Sequence, residues 1–507
     1  MDPDTAAKPA AGRTPLDRRQ TALVVASLML TLSLAALDAT IVGTALPTIV
    51  ADLGGVSLYS WLITAYLITS TTTVPLYGRI ADMVGRKPVL VFGIIIFLVG
   101  SALCGLAQSM VQLILFRAVQ GLGAGAIQPI TFTIVGDLFP VEQRARVQGF
   151  FGGVWGTASI VGPSLGGLII AVASWHWVFY INIPIGLAAL LMLGRTYHEQ
   201  VVRQRHAVDF LGAALLTAGI NALLLGLENA QYPVLYLVAL GLLGGFVLVE
   251  TRTPEPIVPL GLLAKPLIAT GYLVSILSGA VQFGTTGFIP LFVQGALGGS
   301  PLSVGAVLAP MSIGWPVGSI TAGRLILRLG YRPVLLGGLM ATTLGTAALQ
   351  LLRPGTPLPL VMADVALVGL GMGLTSTPVL ISIQNAVGWQ QRGVATALNQ
   401  FSRTIGGSLG VALMGALLNL QLEARLAGQL LGTGADPTAV VRNLLDPATR
   451  SRYAGQLGTL QGVLAEALHT VFLLPLAIAV LALVLGLMAF PTGSVRDHMA
   501  SRPAPGD

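Results

Sequence analysis

Residues Gly78–Leu90 read GRIADMVGRKPVL and join two apolar segments through a basic turn that contains glycine. The pattern returns 245 residues later, where residues Gly323–Leu335 read GRLILRLGYRPVL. Two glycine patterns repeat in the same order: GLGAG at 121–125 returns as GLGMG at 369–373, and GPSLG at 162–166 returns as GGSLG at 406–410. Three landmarks repeated in order predict a duplicated membrane bundle.

The composition excludes a soluble globule, because 54% of the 507 residues are hydrophobic and only 9% are charged. The net charge of +7 is spread singly over the predicted loops, which favours a topology signal over nucleic-acid binding. Cys104 is the only cysteine, so neither a disulfide nor a cysteine metal site is available. No GxxxxGK[ST] or HExxH pattern is present, and we expect neither a cofactor, a metal nor enzymatic activity.

A spanning helix needs about 20 apolar residues, and this rule predicts an all-α membrane protein with fourteen spans. They lie near 21–47, 58–77, 88–107, 111–135, 147–171, 176–194, 209–228, 233–250, 268–292, 302–322, 333–352, 358–381, 393–418 and 467–490. Basic residues concentrate in the loops after the even-numbered spans, and among the short loops of the other face only the one with Arg353 carries a positive residue. The positive-inside rule therefore predicts that both termini are cytoplasmic.

The repeat offset exceeds the length of six spans, which indicates that two helices are inserted between two six-helix bundles. The predicted organisation is a cytoplasmic tail 1–20, a bundle 21–200, inserted helices with linkers 201–266, a bundle 267–492 and a cytoplasmic tail 493–507. The second bundle includes a long external loop, 421–466. Two interpretations of this loop remain open: a solvated helical hairpin, or a docking or gating element that meets a periplasmic or extracellular partner.

Two pairs of ionisable residues fall inside predicted spans, where charge is costly and usually functional. Asp38 and Arg117 lie at depths of about 15 and 9 Å from the outer face, at 1.5 Å per residue, and would meet if helices 1 and 4 are neighbours. Such a carboxylate can carry a proton between the two sides, the alternative being a static ion pair. Asp364 and Arg403 are a second candidate pair whose depths match less well.

The basic turn is a candidate cytoplasmic gate or latch. Asp82 would hold a neighbouring helix through its N-terminal dipole or a basic partner, whereas the alternative is a purely topological role. The second copy has Leu327 at this position, so the predicted latch is asymmetric. The residues assigned to it are Gly78, Asp82, Gly85, Arg86 and Lys87. Candidate aromatics of a substrate cavity are Trp61, Tyr66, Phe132 and Phe283, with lipid-facing or core positions as the alternative.

Taken together, these motifs resemble the major facilitator superfamily, in particular its fourteen-helix drug:proton antiporters. The turn matches the superfamily signature between helices 2 and 3, and the segment around Asp38 resembles the helix 1 motif of this branch. Arg117, Gln120, Gly121 and Gly125 resemble the helix 4 motif whose arginine is linked to proton coupling. The antiporter motif of helix 5 is matched by Gly156, Gly162, Pro163, Gly166 and Gly167, and the run before and into helix 6 by Trp175, Trp177, Phe179, Asn182, Pro184 and Gly186.

The resemblance implies two bundles that rock about a central cavity, with proton entry driving export of a small lipophilic substrate across a bacterial inner or plasma membrane. His176 departs from the family's arginine, and helix 13 offers Asn399, Gln400 and Arg403 in place of carboxylates, which weakens the case for dicationic substrates. Two alternatives stay open: export of a specific native lipid, siderophore or antibiotic, and a membrane sensor or ligand-binding scaffold without transport.

Overall fold

The computed structural model describes residues 18–54, 58–199, 209–228, 232–253, 256–426 and 457–491. Within these ranges the chain forms helices joined by turns and loops, and no strand. The α-helices are α1 (Arg18–Leu53), α2 (Tyr59–Val84), α3 (Arg86–Gly105), α4 (Met110–Leu138), α5 (Val141–Val172), α6 (Trp177–Tyr180), α7 (Asn182–Thr196), α8 (Phe210–Glu228), α9 (Val234–Glu250), α10 (Leu260–Leu263), α11 (Pro266–Leu291), α12 (Pro301–Leu329), α13 (Tyr331–Ala348), α14 (Leu358–Ala386), α15 (Arg392–Leu426) and α16 (Leu457–Ala489).

The prediction of an all-helical membrane protein is confirmed. Eleven of the described helical segments are long and apolar enough to cross a membrane, and two shorter apolar helices span 211–223 and 234–250. The long helix α2 is not among the eleven, because the hydroxyl side chains at 69–73 lower its hydropathy. Each predicted span coincides with a helix, yet the count of fourteen membrane crossings stays a prediction, as do the domain boundaries.

Helix lengths differ from the predicted spans at two places. The predicted sixth span is divided at Ile181 into the short α6 and the longer α7. Helices α15 and α16 extend beyond the spans 393–418 and 467–490 into the predicted external loop, as far as Leu426 and from Leu457. The centre of that loop, 427–456, and most of both predicted tails lie outside the described residues. The predicted partner site in the loop therefore stays a prediction.

The hydrophobic cores separate along the chain. Two clusters are built from residues between 24 and 197, and two others almost wholly from residues between 258 and 490. A small fifth cluster joins the inserted helices α8 and α9 to α15, where Leu216 and Phe246 pack with Phe401. The cores thus divide the described helices into two groups, here called the first and the second bundle, while the predicted domain boundaries and the six-helix count of each bundle stay predictions.

The two bundles meet at the end of the molecule that carries Arg86, Arg144 and Arg332, here called the basic face. Helix α2 packs on α15, and α5 packs on α12. Both contacts require glycine, because a β-carbon on Gly78 would lie 2.3 Å from the Ala397 β-carbon and one on Gly323 would lie 2.1 Å from that of Ala145. The repeated turn thus places its first glycine at equivalent contacts in both copies.

Candidate functional site

Asp38 and Arg117 form an ion pair inside the first bundle. Helix α1 presents the carboxylate and α4 the guanidinium, with Arg117 Nη1 2.7 Å from Asp38 Oδ2. Both side chains are shielded, since Asp38 is 1% and Arg117 3% exposed. The structure therefore brings together the two residues that the sequence placed at similar depths. Their role in proton transfer stays a prediction.

Two amides complete the coordination of the carboxylate. Gln120 Nε2 donates to Asp38 Oδ1 over 2.8 Å, and Asn182 Nδ2 donates to the same oxygen over 3.1 Å. Both amides also reach the Ser101 hydroxyl, at 2.7 and 3.3 Å. Arg117 Nη1 in turn donates to Gln120 Oε1 over 2.7 Å. Four helices, α1, α3, α4 and α7, thus contribute to one buried polar network around the carboxylate.

An aromatic wall closes this network on one side. The Arg117 guanidinium carbon lies 4.2 Å from the centre of the Tyr66 ring and 5.9 Å from that of Phe179. Both rings are buried. A cation over an aromatic face gains electrostatic attraction and loses water. Tyr66, predicted to line a substrate cavity, therefore contacts the ion pair.

The structure does not form the second predicted pair. No ion pair between Asp364 and Arg403 occurs among the described residues. The Arg403 guanidinium lies over the Trp315 ring. The backbone carbonyl of Trp315 borders Gly373 on α14. Asp364 is nine residues before Gly373 on that helix, a rise of about 13 Å. The two side chains lie at different depths in this structure, and their pairing stays a prediction.

At the basic face, Asp82 binds the N-terminus of α15. Its two carboxylate oxygens accept hydrogen bonds from the backbone amides of Gly393, at 2.9 Å, and Val394, at 2.8 Å. These amides belong to the first turn of the helix, where no intrahelical acceptor exists. Asp82 also accepts a 2.8 Å bond from Arg86 Nη2. The geometry is the helix-dipole contact expected for a latch, and its gating role stays a prediction.

A third carboxylate, Asp137, ties the latch to the opposite bundle. It lies 2.9 Å from Arg86 Nε and 2.7 Å from Arg392 Nη1, one arginine from each bundle. Arg86 further donates to the Trp389 carbonyl over 2.7 Å and lies 4.0 Å from the centre of that ring. Because both arginines share one buried carboxylate, separation of the bundles must break an ion pair.

The remaining latch residues have distinct roles. Gly85 has a φ of 106°, a value that favours glycine, between α2 and α3. The Lys87 ammonium donates to the carbonyls of Gly194 and Tyr197, and its backbone amide donates to Glu199 over 2.7 Å. These bonds fasten the start of α3 to the end of α7 and remain within the first bundle.

The glycines of the antiporter motif serve two different neighbours. A β-carbon at Gly156 would lie 2.9 Å from the Ser312 carbonyl of α12, across the boundary between the bundles. At Gly162 and Gly166 it would meet the hydroxyls of Thr40 and Thr44 on α1, at 2.0 and 2.2 Å. Gly167 has no atom this close, and Pro163 lies inside α5. The motif therefore lets α5 approach both bundles closely.

The other candidate aromatics are not gathered at one place. Trp61 is 43% and Phe283 39% exposed, with the Phe283 ring packed over Gly407. Phe132 packs edge-on against Phe151 at 5.6 Å between ring centres. Their assignment to a substrate cavity stays a prediction.

Sequence reasoning missed several members of these sites. Ser101 was not singled out, nor was Asp137, whose position near a helix end looked like an ordinary loop. The repeat offers a signal for the second: Asp137 and Asn385 are related by the 248-residue offset that relates Gly121 to Gly369. Buried positions that repeat with changed charge mark a contact that differs between the halves.

Comparison with known proteins agrees with this architecture. The chain is 37% identical to the multidrug transporter protein MdtP of Bacillus subtilis over 86% of this chain and 80% of that protein. It is 36% identical to multidrug resistance protein 3 of the same species, over 93% and 95% of the two chains. The solved proton:xylose symporter XylE shares the fold, with a TM-score of 0.64 over 96% of this chain and 99% of that chain, at 12% identity.

The family profile described as Major Facilitator Superfamily matches residues 28–411, about three quarters of the chain. Two Bacillus multidrug transporters are similar over most of their length, and the helical architecture has the same family's fold. Members of this family are membrane transporters and not enzymes. The chain therefore belongs to the Major Facilitator Superfamily and resembles its multidrug efflux transporters.

Proposed function

We propose that the chain is a proton-coupled antiporter that exports lipophilic or cationic drugs and related compounds by alternating access. The observation that carries the proposal is the buried Asp38–Arg117 ion pair with its amide donors. A carboxylate buried this deep in a membrane transporter costs free energy, and such residues usually have a function. The names of the two similar Bacillus proteins support drugs as the substrate class.

The chemistry of the step follows from the network. In this structure the carboxylate accepts hydrogen bonds from three side chains, those of Arg117, Gln120 and Asn182. Water and a proton must therefore reach Asp38 before the ion pair separates. Protonation of Asp38 would free Arg117 from its counter-ion, and release of the proton on the other side of the membrane would restore the ion pair. The proton would bind Asp38 more tightly in one conformer than in the other, and this difference in affinity would couple proton movement to the movement of the bundles.

The orientation belongs to the same proposal. The basic face is assigned to the cytoplasm of a bacterial inner or plasma membrane, with both termini on that side. The proton gradient supplies the energy, and no other cofactor is required.

The test uses inverted vesicles that carry the protein, energised and loaded with a pH-sensitive dye. A panel of lipophilic cations, neutral drugs and lipophilic carboxylates should include compounds that release protons from the vesicle lumen in wild type and not in Asp38→Asn, with Asp364→Asn as the matched control that retains the response. An equal response in wild type and Asp38→Asn would contradict the role of Asp38. Loss in Asp364→Asn alone would transfer the role to that residue.

If no compound evokes proton movement although the purified protein is folded, antiport is wrong. A ligand that binds without transport would then support a sensor or scaffold. Transport confined to one native metabolite would instead support a dedicated exporter, and a panel that includes lipids and siderophores separates these outcomes.

A further inference from the structure

Arg403 is a charged side chain at mid-depth that no acidic group neutralises. It is the twelfth residue of α15, about 16 Å along the helix from its start. Among the described residues no carboxylate lies within ion-pair distance, and the guanidinium has one hydrogen bond, from Nη2 to Gln400 Oε1 at 3.1 Å. Its Nε is buried without an acceptor. A charge at this depth needs a counter-charge from elsewhere.

The surroundings prepare the guanidinium for an anion. Its central carbon lies over the Trp315 ring, 5.3 Å from the ring centre. Contact with an aromatic face holds the planar group and leaves donors along its edge. Paired donors of this kind match the two oxygens of a carboxylate. Trp315 and Arg403 are both partly exposed, so other atoms do not cover them completely.

The position lies between the two bundles. Gln400 Nε2 donates to Gln128 Oε1 on α4 over 2.8 Å, which continues the chain of bonds from Arg403 into the first bundle. Gln128 follows Gln120 of the Asp38 network by eight residues, about 12 Å along α4 and roughly a quarter turn around it. A molecule bound at this position would touch both bundles and lie about 12 Å along α4 from the network of Asp38.

The charge balance of the interior decides the sign of the ligand. Asp38 neutralises Arg117, and Asp364 lies about 13 Å along α14 from Gly373, the residue that borders Trp315. In the described part of the chain, Arg403 is therefore a charge without an acidic partner at the level where the bundles face each other. It would attract an anion and repel a cation.

We propose that Arg403, with Trp315, Gln400 and Gln128, binds the anionic group of a lipophilic substrate, so that the exported compounds carry a carboxylate or a comparable anion. This inference rests on the proposed export function and, within its lipophilic substrates, selects anionic compounds over cationic ones. A charged hydrogen bond contributes about 1.5–3 kcal/mol, which corresponds to a roughly 10- to 100-fold effect on affinity.

The test measures equilibrium binding to purified protein at fixed pH, without a gradient. Three radiolabelled ligands share one ring system: 2-naphthylacetate, its uncharged amide and the ammonium analogue 2-(2-naphthyl)ethylamine. Wild type should bind the carboxylate at least about tenfold more tightly than the amide, and the ammonium least. Arg403→Gln should abolish this preference while amide affinity changes less than about twofold, and Arg403→Lys should retain part of it.

Arg353→Gln, a change at an exposed arginine of the opposite face, is the matched control and should keep the preference. Equal binding of carboxylate and amide by wild type overturns the proposal without reference to any variant. An unchanged preference in Arg403→Gln also overturns it. Asp38→Asn separates the two proposals: lost proton movement with retained carboxylate preference supports both, whereas retained proton movement contradicts the coupling role alone.

Discussion

At the basic face, the contact between α2 and α15 contains buried ion pairs, whereas the hydrogen bonds described at its repeat-related counterpart, where α5 meets α12, join Arg144 to neutral side chains. Asp82, Arg86 and Asp137 of the first contact correspond to Leu327, Tyr331 and Asn385 of the second. Arg392 corresponds to Arg144, which donates to Asn385 over 2.9 Å, and Asn385 donates to the Tyr331 hydroxyl over 2.8 Å. The duplicated geometry is thus retained while its carboxylates have been replaced.

The start of the partner helix explains this difference. Helix α15 begins at Arg392, so the amides of Gly393 and Val394 lie in its first turn and have no intrahelical acceptor. The corresponding residues 145 and 146 lie in the second turn of α5, which begins at Val141, where helical amides are already bonded. A carboxylate at position 327 would find no free amide. The two copies thus keep the same helix packing but differ in charge at the place where the partner helix begins at a different residue.

The two contacts should therefore respond differently to hydration. Ion pairs and helix-terminal bonds exchange readily for water once the interface opens. The neutral contact relies on close packing at Gly323 and on hydrogen bonds such as Ser159 to Ser312, at 3.1 Å. We expect α2 and α15 to separate more readily on loss of charge, with α5 and α12 acting as the more persistent contact.

The largest effect is expected for Asp137→Ala. It removes the carboxylate shared by Arg86 and Arg392, which leaves Arg86 with Asp82 alone and Arg392 without the acidic partner described here, a cost of about 3–5 kcal/mol to the closed basic face. Asn385→Ala removes neutral or singly charged hydrogen bonds and should cost about 1–2 kcal/mol. The measurement is the spin-label distance between Cys substituted at the exposed Val84 and Leu329, since the native Cys104 is buried.

In that measurement Asp137→Ala should populate long distances to a much greater extent than Asn385→Ala. Similar distance distributions for the two variants would show that the ionic and neutral contacts contribute alike. Thermal unfolding of each variant, recorded in the same detergent, separates opening of the basic face from loss of the fold.

Asp82→Asn should have an intermediate effect. The amide keeps the shape of the side chain, but its nitrogen cannot accept the bond from Val394, and the charge that faces the helix N-terminus is lost. We expect the closed state to lose about 1–2 kcal/mol, seen as a partial shift to longer distances between the same labels. Asp52→Asn is the matched control, because Asp52 accepts a bond from Trp175 Nε1 at 2.8 Å at the opposite end of the bundle. An equal shift in the control would contradict the latch.

Much of the fold could be predicted because it depends on periodic, additive signals. Runs of about 20 apolar residues fix where helices lie, and the offset between Gly78 and Gly323 reports the duplication. The division of the sixth span at Ile181 depends on local packing, and no sequence signal foretold it.

The site was harder to predict, because its contacts depend on helix rotation as well as depth. Asp38 and Arg117 were found through the cost of charge in the bilayer. The same rule suggested Asp364 and Arg403 as a second pair, which this structure does not form because the two side chains lie at different depths. Ser101 escaped because a serine in a span has no evident signature: only its neighbours show that it serves the carboxylate network.

The smallest effect is expected for Leu327→Asp, which gives the second copy the acid of the first. Leu327 is 46% exposed, so the new carboxylate would remain in contact with water and cost less than about 0.5 kcal/mol. It should not strengthen the α5–α12 contact, because the amides of residues 145 and 146 are already bonded within α5. The label distances should therefore match wild type, and Leu327→Asp should not rescue Asp82→Asn. If the added acid did restore the closed state in that double variant, the latch would act through charge at the basic face in general, and the position of the helix start would not explain the asymmetry of the two contacts.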